Sequence, residues 1–283
     1  MDELAAKQVL LDFEIIMLIA LGGGIGLFAF LRSRRGIEAA PGADFDGFDL
    51  ALMFFPALLF LFNPLFEVFV AQNEAEGTAG TAEPAGITVG SMLVNLFYFT
   101  FVGLMTYGII EWVRNRRVVD LFGLKRLTLP AIVVYSILGG VASLVVCAWA
   151  LGDVSQTFLE KVFRDLAAQD TVESLQQSTT PLQLAFTVVM ACVFAPVVEE
   201  LLFRGYMYGA VKQATNPIFS AAVVGGLFSV VHGNLPALLP LWAFAILLCL
   251  AYEWTRCLWV PIGMHALFNA ANIILMRIPE HVE

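Results

Sequence analysis

Two adjacent carboxylates, Glu199 and Glu200, stand inside the apolar run LQLAFTVVMACVFAPVVEELLF (182–203), which holds no other charged side chain. A charge carried into a bilayer costs on the order of 3 kcal/mol by insertion scales, and two side by side also repel each other. Glu200 and Arg204 are four residues apart, so on a helix they share a face and can pair. Glu199 is turned away by about 100° and is left to face something else. Pro196, three residues earlier, is a place for the helix to bend. Two further groups lie downstream. FSVVH (228–232) puts Phe228 and His232 on one helix face, and HALFN (265–269) does the same for His265 and Asn269. A carboxylate and an imidazole out of water can activate a water molecule, and an imidazole beside an amide can receive a developing oxyanion.

The elements that must position these groups are membrane helices. Hydrophobic residues make up 59% of the chain, and its polar residues are confined to short segments between apolar stretches. Eight stretches approach spanning length: 13–31, 48–70, 89–113, 130–151, 182–203, 217–232, 237–252 and 258–276. The sixth and seventh are short for a full crossing. The expected fold is therefore all-α, a multi-pass bundle of about eight transmembrane helices. It divides into 1–180, structural transmembrane helices and outside loops, of which the first three helices look poor in polar residues, and 181–283, the helices that carry the chemistry. The first span, rich in glycine and followed by Arg32, Arg34 and Arg35, reads as a retained helix rather than a cleaved signal. Ala214-Thr215-Asn216-Pro217 is a strong turn signal between the fifth and sixth spans. Glu199 and His232 are equally far from its centre, so an antiparallel hairpin sets them at one depth, facing each other. The same arithmetic does not bring His265 to them.

Charge distribution gives an orientation. With eight spans alternating, Arg32, Arg34, Arg35, Arg114, Arg116, Arg117, Lys125, Arg126, Arg204, Lys212 and Arg256 fall on or near one side. Lys7, Lys161, Arg164 and Arg277 fall on the other. By the positive-inside rule the first set is cytoplasmic and both termini lie outside, across the inner (plasma) membrane. The acidic segment 71–86 and the segment 153–180, whose LEKVFRDLA portion reads as an interfacial amphipathic helix, are then outside loops. A net charge of −9 gives no basic footprint for nucleic acid. Cys147, Cys192, Cys249 and Cys257 form no CxxC pair and read as small buried hydrophobes.

Each polar group has a structural explanation when read singly. Paired glutamates can mark a helix end, an intramembrane His or Asn can be interhelical glue, and Phe228 can be core. Gly22 and Gly26, or Gly205 and Gly209, have the small-xxx-small spacing of close helix packing. What favours chemistry is coincidence, since two of the three histidines fall in the same four spans as the buried glutamates.

The order EELLFR (199–204), FSVVH (228–232), HALFN (265–269) resembles the CAAX-protease and bacteriocin-processing (Abi) family of intramembrane endopeptidases, the type II CAAX prenyl protease group. The match covers about 181–276. The resemblance implies a peptidase with its site in a cavity within the membrane, acting on membrane-associated peptides, lipidated ones included. Glu199 would be the base, working with His232 on a water. His265 and Asn269 would stabilise the oxyanion, Glu200 and Arg204 would hold the site together, and Phe228 would line it. Glu199, His232 and His265 are also a possible ligand set for a catalytic zinc. The compact HExxH arrangement is absent, and a metal-free, glutamate-based mechanism is the preferred reading. Two other functions compete. A proton- or ion-coupled transporter also uses intramembrane carboxylates and histidines, but it calls for broken helices in a repeated fold. A non-proteolytic immunity or binding protein on the same scaffold would not need Glu199, His232 and Asn269 together. No feature fixes an oligomeric state.

Overall fold

The computed structural model describes residues 3–34, 45–62, 89–150 and 180–277. Every regular element among them is helical, so the all-α membrane bundle expected from hydropathy is the architecture found. In chain order these are α1 (Glu3–Arg34), α2 (Gly47–Leu52) and α3 (Phe54–Leu61), then α4 (Val89–Gly108, running on through Ile109–Val113). After α5 (Val118–Leu121) come α6 (Leu129–Ser143, running on through Leu144–Ala150) and α7 (Pro181–Ala214). Last are α8 (Pro217–Val230), α9 (Leu238–Thr255) and α10 (Trp259–Arg277). Five of these are long and apolar enough to cross a membrane, and the apolar segments Gly47–Leu61, Pro217–Val230 and Trp259–Leu275 are shorter. The acidic segment 71–86, most of 153–180 and the end of the second expected span lie outside the described residues.

Local sequence starts and stops the helices. Thr180 caps α7 in a reciprocal box with Gln183, with Pro181 in the first turn. The turn expected at 214–217 forms, with the Asn216 side chain accepting from Phe219 N–H at 2.9 Å and Pro217 opening α8. The α9–α10 connection takes Arg256 through the left-handed region at φ 51°. Gly123, at φ 62°, sits so close to the Arg256 carbonyl that no Cβ would fit.

The packing is built on α8. Its partner α9 is tied to it by Trp242 Nε1–H donating to the Ala222 carbonyl (2.7 Å) and by Ser229 Oγ–H donating to Leu238 (2.5 Å). α7 is held alongside by Ser220 Oγ–H on the Tyr208 carbonyl (2.9 Å). α1 runs antiparallel to α8, with Gly24 against Phe219 and Met17 against Gly226. This corrects the expected use of Gly22 and Gly26, beside which a Cβ would meet nothing among the described residues. Gly205 and Gly209 are packed, but against the rings of Phe122 and Phe45 rather than a helix backbone. α6 lies on α10, where Ser136 bonds the Val260 carbonyl.

One end of the bundle gathers cations. Arg32 reaches the Gln213 carbonyl, Arg114 and Arg116 meet the buried Asp49, and Lys212 and Arg256 meet Glu253. Trp112 and Trp254 are exposed at this same end, as in an interfacial aromatic belt. Burial opposes ionisation of Asp46, but the Asp49 backbone N–H and the Arg114 guanidinium outweigh it and hold its carboxyl below the ordinary value. Arg204, counted with these cations from sequence, is 1% exposed and belongs to the interior. α1 also departs from its polar-poor reading, because Glu14 is buried on its packed face between Leu10 and Leu21.

Candidate active site

α7 carries the two glutamates through a change of helical pitch. Wide turns with i→i+5 bonds occupy Met190–Phe194 and Glu200–Met207. Ala195 N–H reaches Met190 and Tyr208 N–H reaches Phe203. Such bulges re-aim side chains and recur at functional sites. Glu199 and Glu200 sit at the boundary between α-helical and wide pitch and point to different partners.

Glu200 is fully buried and accepts from Arg204 Nη1 at 2.8 Å, the i,i+4 pair expected from spacing. The same oxygen, Oε1, lies 2.9 Å from His265 Nδ1. Arg204 also places its guanidinium over the Phe228 ring at 4.1 Å. This charge is paired, hydrogen-bonded and stacked, which a buried guanidinium requires.

Glu199 has no hydrogen-bond donor on Oε2 among the described residues. That oxygen lies 3.9 Å from His232 Nε2 and 3.9 Å from His265 Nε2. The His232 side that faces away is fixed by Nδ1–H donating to the Phe228 carbonyl at 2.7 Å. A carbonyl only accepts, so in the neutral ring Nε2 is an acceptor. His265 is held the same way by a carboxylate that already takes Arg204. Two imidazoles thus turn their second nitrogens towards one carboxylate oxygen. Phe228 packs on both rings, 4.6 Å from His232 and 5.8 Å from His265. His232 is the exposed member, with 28% of its side chain accessible against 9% for Glu199 and 3% for His265.

Of the residues singled out in sequence, Glu199, His232, His265, Glu200, Arg204 and Phe228 come together. Asn269 is on the same face of α10 as His265, but its Nδ2–H is given to the Ala191 carbonyl of α7, at 2.8 Å. Tyr98 of α4 lies within electrostatic reach of Glu199 and had no signature in sequence. Glu14, with both oxygens unpartnered among the described residues, carried the same signal as Glu199, a carboxylate in a membrane-length run.

As a zinc set, Glu199, His232 and His265 stand wider than a tetrahedral ion would hold them. Tetrahedral bonds of about 2.1 Å need donors about 3.4 Å from one another, shorter than the 3.9 Å found for both glutamate–histidine pairs. Among the described residues no group of three or more His, Cys, Asp or Glu is arranged to hold a metal ion.

Comparison with known proteins falls on the same C-terminal stretch of the chain. The family described as Type II CAAX prenyl endopeptidase Rce1-like matches residues 181–271. A Bacillus subtilis (strain 168) protein with the provisional name membrane peptidase YdiL is 29% identical over 92 residues, 32% of this chain and 38% of that protein. No solved structure matches.

Proposed function

Because residues 181–271 match the Type II CAAX prenyl endopeptidase Rce1-like family, we propose that the chain is an intramembrane endopeptidase of the CAAX-protease and bacteriocin-processing family. Its substrates are membrane-associated peptides, lipidated ones included. The observation that carries this reading is the convergence of two imidazole Nε2 atoms on the unpartnered Oε2 of Glu199. A water about 2.8 Å from each of two atoms 3.9 Å apart closes that triangle with ordinary hydrogen bonds.

The water donates to Glu199 and His232 and presents its lone pair to the scissile carbonyl carbon. Glu199 takes its proton as the C–O bond forms. When the tetrahedral intermediate collapses, the C–N bond breaks and that proton passes, through Glu199 or His232, to the leaving amine. Glu200 and Arg204 clamp His265. His265, carrying a second proton drawn from solvent before the water attacks and with Glu200 balancing its charge, offers Nε2–H to the oxyanion, a contribution of about 3 kcal/mol where such donors are removed elsewhere. The partial exposure of His232 makes its side of the site the entry for substrate. The gathered cations face the cytoplasm, with both termini outside, in the plasma (inner) membrane.

Comparative membrane proteomics of cells carrying the wild type or Glu199→Ala tests the reading and finds the substrate. An uncleaved precursor is expected to accumulate with Glu199→Ala. Identical peptide inventories in the two strains would contradict it.

A further inference from the structure

The amide of Asn269 reaches across 78 residues of chain to one backbone carbonyl, that of Ala191. Pro196 explains why that carbonyl is available. The wide turn at 190–194 bonds each N–H to the carbonyl five residues back, as Ala195 does to Met190. The next bond in that register would run from residue 196 to Ala191. Residue 196 is proline, which has no N–H. A membrane helix has no water to satisfy the carbonyl so released, and each unsatisfied group costs several kcal/mol. Asn269 Nδ2–H stands in for the missing backbone donor.

We infer that Asn269 is a positioning residue: it completes the backbone pairing that Pro196 breaks and so fixes the turn of α7 that aims Glu199. Pro196 is three residues before Glu199, so the bend and the catalytic carboxylate share one turn of helix. Asn269 is also one turn beyond His265. Pinning Asn269 to Ala191 therefore sets the rotation of α10 that places His265 between the two glutamates. One hydrogen bond registers both helices of the site. One of the two amide hydrogens of Asn269 is thereby committed to backbone.

The inference rests on the peptidase reading for its effect on rate, but not for its effect on stability. A double-mutant cycle separates the two. Wild type, Asn269→Ala, Pro196→Ala and the double variant are compared in lipid nanodiscs by thermal unfolding and by cleavage of an internally quenched, prenylated CAAX-type peptide. Pro196→Ala restores an N–H that can bond Ala191. Asn269→Ala is expected to lower Tm by about 4 °C with proline at 196 and by less than about 1 °C with alanine there. It should lower kcat by about 100-fold with KM within about threefold, and the double variant should regain at least about tenfold of that loss. Equal losses in both backgrounds, in Tm or in kcat, would overturn the inference. If Asn269→Ala does not fold, recovery of folded protein in the double variant supports it, and no recovery while Pro196→Ala folds alone overturns it. If the wild type cleaves nothing, it is the peptidase reading that fails, and the Tm cycle still decides.

Discussion

At position 199 a carboxylate oxygen faces two ring nitrogens and touches no donor among the described residues, while Glu200 accepts from two side chains. The two positions are therefore separable by mutation. Glu199→Gln keeps shape and loses the base, so cleavage should fall by at least about 1,000-fold with Tm little changed. Arg204→Ala should act on stability instead. It strips the cation from a fully buried carboxylate and leaves it only His265, at a cost of about 3–5 kcal/mol in unfolding measurements. The donor distances around Glu199 also make a prediction about metal. Chelator treatment should leave turnover unchanged, and loss that only zinc restores would contradict the glutamate-based mechanism. The Glu199–His232 pair was legible in sequence because one tight turn joins their helices and fixes relative depth. His265 was not, because α9 intervenes and its approach depends on how α10 tilts. The Asn269 contact was hidden for another reason: its partner is a backbone carbonyl, and only the proline five residues on betrays it.

The start of α8 was readable because its cap and its proline act locally, at Asn216 and Pro217. Packing glycines were not, because spacing cannot say which face meets a neighbour. Gly22→Ala should be within about 0.5 kcal/mol of wild type, whereas Gly24→Val, aimed at Phe219, should cost about 1–3 kcal/mol by overpacking. The junction of α2 and α4 rests on Asp49, 1% exposed between Arg114 and Arg116. Asp46, largely exposed, joins the same tie. Its carboxyl is held low, so its contribution is present above the ordinary aspartate value of about 3.9 and is lost as pH falls through the lowered one. Thermal stability should therefore drop on acidification below about pH 4. Asp46→Asn should remove a small part of that drop, since solvent screens this pair.

The whole molecule sets the depth of the site. Val198 packs on Gly103, and ten residues of α4 separate Gly103 from Val113 at the cation-bearing end. At about 1.5 Å per residue that is about 15 Å, half of a hydrocarbon core of about 30 Å. A spin label at Val197, which faces outward beside Glu199, should report a depth near the bilayer midplane by oxygen-accessibility measurements. A headgroup depth would contradict the packing. Such a site sees substrates already in the membrane. The most direct test of the central claim is cleavage of a prenylated, internally quenched peptide by purified protein in vesicles, wild type against Glu199→Gln. The account predicts turnover by the wild type and none above background by the variant. Equal turnover by both would contradict it.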